Sequence, residues 1–351
     1  MSLRHLLVEN VRSIQRAEID LHPHRNLIWG ANGSGKTSLL ESMFLLGRGR
    51  SFRTRNSERL IRHGEPKLIV FGRTDGPVER SIGVQASRAE GTVAKIDGVF
   101  ARSLTELSQA FAIQVIDPGV HRLVEEGSNR RRKWIDWLVF HVEPSFMGNW
   151  TNYMRALKQR NAALRHQPDQ VTLWDAELLK FGLPLDAARR AVVDRLQSHW
   201  VQLSKKLVGL DVELSYSQGW PQDESLAAAL IRTAERDRLK AVTQVGPHRA
   251  DIRLRQSGRL ARDTLSRGQQ KLAAIAMSLA PLRLISEVTG VAPTLLLDDP
   301  EAELDPVRLA AFIGEVESLN CQLVFTALRQ TSAFGKPETV FHVEQGAVRS
   351  V

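Results

Sequence analysis

The chain has a single cysteine, Cys321, among 351 residues. That excludes an internal disulfide and any paired-cysteine zinc hook. Beside the strand-like run Gln322-Leu323-Val324-Phe325 the thiol reads as buried packing in a reducing compartment, the cytosol. Aromatic residues make up only 6% of the chain and mostly sit at helix-like spacings, such as Trp134 and Trp137. Contact with a nucleic acid is therefore expected through phosphates rather than through base stacking. No apolar run is expected to reach the length that spans a bilayer. The N-terminus also lacks a charged segment followed by a sustained apolar core, so neither a membrane partner nor export is expected. Internal repeats, low-complexity stretches and a long heptad coiled coil are missing as well.

What is present begins with charge. The formal net charge is +9, against an ordinary background of 42% hydrophobic and 25% charged residues. Arginine supplies most of it, in three clusters: Arg48, Arg50, Arg53, Arg55, Arg59 and Arg62; then Arg130, Arg131, Arg132 and Lys133; then Arg249, Arg253, Arg255, Arg259 and Arg262. This is the electrostatic footprint of a polyanion binder, and no basic amphipathic helix points to a membrane instead. Arg48, Arg50, Arg53, Arg130, Arg131 and Arg132 are the candidate DNA contacts.

The sharpest local signal is Gly30-Ala31-Asn32-Gly33-Ser34-Gly35-Lys36-Thr37, a complete G-x-x-x-x-G-K-T phosphate loop. It follows the strand-like Asn26-Leu27-Ile28-Trp29 and opens a helix-like run from Ser38. The glycines let backbone N–H groups turn toward a polyphosphate, and the helix N-terminus adds its partial positive charge. Lys36 is placed to reach the β- and γ-phosphates of ATP, and the Thr37 hydroxyl to ligate Mg²⁺. Far downstream, Thr294-Leu295-Leu296-Leu297 ends in Asp298 and Asp299. Asp298 at the end of a buried strand is the second candidate magnesium ligand, and Asp299 the candidate base for the attacking water. Between these lies Leu265-Ser266-Arg267-Gly268-Gln269-Gln270 before an apolar helix, with Leu304-Asp305 following the acids.

Phosphate loop, Ser-x-Gly-Gln-Gln, apolar strand with two acids, then a Leu-Asp turn is an order that resembles ABC-type ATPases. Glu9-Asn10-Val11-Arg12, Gly47-Arg48-Gly49-Arg50-Ser51-Phe52-Arg53, the Arg130–Arg132 triplet with Ile135-Asp136, and Gly246-Pro247-His248-Arg249 resemble the RecF recombination-repair family in particular. The resemblance implies an α/β P-loop ATPase head with a helical second lobe inserted and no long coiled coil. It implies an ATP-gated homodimer on gapped or single-stranded DNA. Ser266, Gly268 and Gln269 of one copy would close on the ATP held by Gly30–Ser38 of the other, with Lys36, Ser266 and Asp299 as catalytic residues. It further implies weak, DNA-stimulated ATP hydrolysis, partners of the RecO and RecR type, recombinase loading and a role in the SOS response. Departures from the family pattern are Val11 in place of an aromatic, Asp117-Pro118-Gly119 in the nucleotide-sensing loop, Ala250 in place of an acid, and Ala327 after Thr326. The lobes are expected at residues 1–120 with 240–351 for the ATPase, and 121–239 for the helical insert. In the insert, Leu185, Ala188, Val192, Leu196, Trp200, Leu203 and Leu207 recur at helical spacing as one buried face. Two rival readings are an ATPase subunit of a transporter or chromosome-structural system, and an ATP-bound scaffold that does not turn over.

Overall fold

A computed structural model describes residues 1–54, 56–302, 304–331, 333 and 335–351. Its strands are β1 (Ser2–Val11), β2 (Ile14–Asp20), β3 (Arg25–Trp29), β4 (Lys67–Asp75), β5 (Arg80–Ser87), β6 (Gly91–Ile96), β7 (Val99–Phe100), β8 (Ile113–Ile116), β9 (Glu213–Ser217), β10 (Asp251–Gln256), β11 (Arg259–Leu260), β12 (Thr294–Leu297), β13 (Leu323–Ala327), β14 (Thr339–Glu344) and β15 (Ala347–Ser350). Contacts divide the chain into one unit of Met1–Val120 with Ile285–Val351 and a second of His121–Leu284.

The first unit holds two sheets. In the sheet of order β15-β14-β3-β13-β12-β8, neighbours run parallel except for the β14–β15 hairpin. Every residue of β12 and of β13 is buried, as expected for parallel strands covered on both faces. The antiparallel sheet, order β2-β1-β4-β5-β6-β7, instead alternates buried and exposed positions. It turns Leu3, Leu6, Val8, Leu68 and Val70 toward Leu39, Leu40, Met43 and Phe44 of the helix Lys36–Arg48. That helix is fixed at its start by the phosphate loop and along its length by this apolar cluster.

In the second unit the long helix Val171–Val208 buries Leu185, Val192, Leu196, Trp200, Leu203 and Leu207, the stripe read from spacing, with Ala188 only partly covered. Residues 240–284, expected with the ATPase lobe, group with this unit by contact. The physical reason is strand pairing: β10 lies between β9 and β11 in its own antiparallel sheet and adds nothing to the larger ones.

One expectation is corrected. The helix Arg267–Thr289 is long and apolar enough to cross a membrane by length and composition, with an 18-residue window of mean hydropathy 1.4. Yet 72% of that window is buried, which fits the core helix of a folded domain.

The Gly246-Pro247-His248-Arg249 turn is held from several sides. Arg189, 2% exposed, donates to the Pro247 carbonyl at 2.7 Å and to Asp136 Oδ1 at 2.8 Å. His248 Nε2 faces the Thr243 carbonyl at 3.1 Å, which can only accept, so Nε2 carries the proton and Nδ1 accepts from the Tyr153 hydroxyl at 2.7 Å. Burial lowers the His248 pKa from 6.5 to about 4; Arg249, Arg132 and Arg160 push the same way, against the Thr243 carbonyl. The unfolded chain thus takes up this proton near pH 6.5, and the folded chain only near pH 4. Stability from this residue is full above that window and is lost as pH falls through it, by about 3 kcal/mol. Urea denaturation of His248→Gln should give a correspondingly flatter stability profile between those two pH values. Parallel profiles for variant and parent would remove His248 as the source.

Candidate nucleotide-binding site

The phosphate loop joins β3 to the helix Lys36–Arg48. Gly30 is required because a Cβ there would come within 2.2 Å of the Val343 carbonyl oxygen. Gly35 caps the helix at φ +119, a conformation that a side chain resists. Lys36, 4% exposed, folds back and donates to the carbonyls of Gly30 at 2.8 Å and Ala31 at 3.2 Å. Its ammonium therefore sits over the mouth of the loop. The Ser34 hydroxyl in the same loop is buried and has no hydrogen-bond partner, while the Ser34 carbonyl accepts from the Gly346 N–H at 2.8 Å. An unsatisfied hydroxyl beside a ring of backbone donors fits a bound anion. Ala31, Asn32 and Gly33 complete the turn, and Ser38 is buried in the first helical turn.

The two acids converge on the loop from β12. Thr37 Oγ1 donates to Asp298 at 3.0 Å to Oδ1 and 3.2 Å to Oδ2. Burial raises the Asp298 pKa; the adjacent Asp299 charge raises it further, against the Thr37 and Thr326 hydroxyls and the Arg53 cation. Thr326, fully buried on the neighbouring strand β13, accepts from the Asp299 N–H at 2.8 Å. Its own hydroxyl lies 3.1 Å from Asp298 Oδ1 and 3.3 Å from Asp299 Oδ1. Asp299 itself stands at φ +46, an uncommon left-handed conformation for a non-glycine residue. Thr326 is thus the clamp that holds the second acid in place. Asp117 follows β8, whose last residue Ile116 pairs with Leu297, so it stands alongside Asp298.

One hydroxyl and one carboxylate suit magnesium, which takes few protein ligands and keeps phosphate oxygens and water for the rest. Among the described residues no group of three or more His, Cys, Asp or Glu side chains forms an all-protein metal cage.

Glu41, fully buried, anchors the loop that follows the helix. It pairs with Arg12 Nε at 2.6 Å and accepts from the Ser51 hydroxyl, which in turn accepts from the N–H groups of Arg53 and Thr54. Arg53 is half-exposed and 4.0 Å from Glu41. Arg48 is turned inward, donating to Gln114 Oε1 at 3.3 Å and lying over the Phe44 ring; burial and the Arg50 charge hold its pKa well below the usual value. Arg50 is exposed, and Arg55 lies outside the described residues.

In the second unit, Ser266 is exposed one residue before the helix Arg267–Thr289. Its N–H donates to Gln269 Oε1 at 2.9 Å, and the Gln269 N–H donates back to Ser266 Oγ at 3.3 Å. This reciprocal cap gives Gln269 a structural task and leaves the exposed Gly268 backbone at the positive helix end. The arginine triplet resolves differently from its sequence reading. Arg131 makes a two-point pair with Asp251 at 2.8 and 3.0 Å, and Arg132 donates to Ser128 and to the Ala250 carbonyl. Arg130 alone stays on the surface, paired with Glu126 at 2.8 Å.

A family model described as the RecF/RecN/SMC N terminal domain matches residues 2–348. The DNA replication and repair protein RecF of Pseudomonas syringae pv. syringae (strain B728a) is 38% identical over 99% of this chain and 98% of its own length. This chain belongs to the RecF family. The RecF protein of Pseudomonas putida (strain GB-1) is 39% identical over the same shares. Among solved structures, that of the recombination mediator protein RecF with ATP, in the RecFOR pathway, superimposes with a TM-score of 0.90 at 26% identity, over 99% of this chain and 97% of that one. An Smc head bound to a winged-helix domain of ScpA matches at 15% identity and a TM-score of 0.61, over 100% of this chain and 97% of that one, a likeness of fold alone. The RecF fold here is an ABC-type ATPase head, α/β, with a helical second lobe.

Proposed function

We propose that this chain is an ATP-dependent DNA replication and repair protein that acts as an ATP-gated homodimer on gapped or single-stranded DNA. The observation that carries this reading is the convergence of Lys36, Thr37, Asp298, Asp299 and Thr326 at one loop. Gly30 to Ser38 wrap the triphosphate of ATP, with Lys36 releasing its carbonyl partners to face the β- and γ-phosphates. Thr37 and Asp298 would hold Mg²⁺, whose charge would offset that of the polyphosphate. Asp299, oriented by Thr326, accepts a proton from water as that water attacks the γ-phosphate. Ser266 and the Gly268 backbone of a second copy close on the same phosphate, so that hydrolysis needs two copies and releases them from DNA. Gln269 supports that contact by holding Ser266.

Recombinase loading, RecO and RecR as partners, a role in the SOS response and a cytoplasmic site of action are the further elements of this proposal. They rest on membership of the RecF family. The DNA contacts proposed from the first two clusters narrow to Arg50, Arg53 and Arg130, because Arg48, Arg131 and Arg132 are committed inside the protein. A transporter role is disfavoured by the surplus of arginine.

Lys36→Ala tests the loop directly. Titration with a fluorescent ATP analogue should show binding lost, at least tenfold if one charge-assisted phosphate contact of about 1.5–3 kcal/mol is removed. Unchanged affinity in a folded variant would sink the assignment.

A further inference from the structure

Arg253 and Arg255 play no part in the nucleotide site. Strand β10 alternates over Ile252–Arg255: Ile252 and Leu254 are buried at 0% and 6% exposure, and Arg253, exposed, and Arg255, half-buried, lie on the other face. That face borders a cleft of about 850 Å³, also lined by Arg249, Trp220 and the serines Ser215 and Ser217 of β9. Asp251 and Asp223 share the cleft, but the charge of Asp251 is spent on its two-point pair with Arg131. Glu213, exposed on β9, stands opposite Arg255 in the strand register but does not line the cleft. Arg255 gives one bond to the Gly258 carbonyl, and Arg249 gives one to the Thr243 carbonyl. Arg253, exposed, makes no side-chain hydrogen bond or ion pair among the described residues, so its donor fork is free for a ligand at the cleft it lines.

We propose that this cleft is a seat for the backbone of a single-stranded DNA, with Arg253 and Arg255 on successive phosphates, Arg249 at one end and the Trp220 ring beside a base. Residues two apart on a strand are about 6.7 Å apart, on the scale of the step between successive phosphates along one DNA strand, and the Trp220 ring in the same cleft suits an unpaired base. Guanidinium forks recognise phosphate oxygens in pairs. The serine hydroxyls of β9, beside Arg253 and Asp251 in register, add neutral donors along the same track. The seat rests on the DNA-binding reading above and places a DNA contact on the third arginine cluster.

The test uses the full chain and a fluorescein-labelled oligothymidylate, with anisotropy read at several salt concentrations. If two phosphate contacts are lost, Arg253→Ala with Arg255→Ala should bind about tenfold more weakly near 0.15 M salt, and its log–log salt slope should shrink by about 1.4. Arg253→Lys with Arg255→Lys keeps the charges and should retain the slope. ATP-analogue affinity should stay at the parent value in both, which shows that the fold is intact. If the parent protein binds no DNA, the functional reading itself fails. If the parent binds and the double alanine variant matches its affinity and slope, the seat is wrong while the functional reading stands.

Discussion

Asp299→Asn should lower ATP hydrolysis by roughly 10²–10⁴, the usual scale for removing a general base. The variant should still bind ATP and still close. The substitution keeps the size of the side chain and one acceptor oxygen, and the Asp299 backbone N–H that meets Thr326 at 2.8 Å is untouched. Lys36, Thr37 and Asp298 lie on other positions and keep their geometry. The expected product is therefore a long-lived ATP dimer, seen by size-exclusion chromatography with ATP and DNA. Phosphate release under single-turnover conditions is the direct readout. Hydrolysis within a few-fold of the parent would move the proton acceptor away from Asp299. The same assay answers whether the chain is a scaffold that does not turn over, because the parent would then release no phosphate either.

The parts of this site that were legible in the sequence are those in which chemistry and local geometry coincide. A phosphate loop is a contiguous turn, so eight residues carry their own geometry. Leu295-Leu296-Leu297 announces a strand buried on both faces, and the acids after it fall at the strand's end without further argument. What the sequence does not display is made by register between distant segments. Thr326 meets Asp299 because β13 pairs with β12, and Gly346 meets Ser34 because the β14–β15 turn folds over the loop. Arg131 and Arg132 read as free cations until the fold brings Asp251 and Ala250 beside them. An arginine run looks the same in sequence whether it faces solvent or pins a turn. The grouping of residues 240–284 follows the same logic: β10 finds its partner in β9, some forty residues earlier.

Ser266→Arg should abolish ATP-dependent dimerisation while leaving ATP binding by each copy unchanged. Ser266 is exposed and separate in the chain from the phosphate loop, so in the proposed dimer the lesion falls on the surface offered to a partner and not on the copy's own ATP contacts. The bulky cation replaces the hydroxyl that caps the helix, and an N-cap loss costs about 1 kcal/mol, which a folded domain tolerates. Lys36→Ala should fail for the opposite reason, since each copy lacks its own triphosphate contact. Mixing the two separates these causes. A heterodimer of one Ser266→Arg copy and one Lys36→Ala copy contains one site with both lesions and one with neither. In the intact site, Lys36 comes from the Ser266→Arg copy and Ser266 from the Lys36→Ala copy. Partial recovery of dimerisation or turnover in the mixture, with neither variant active alone, requires a site composed of two chains. If Ser266→Arg by itself dimerises with ATP as well as the parent does, the exposed serine serves only as a helix cap.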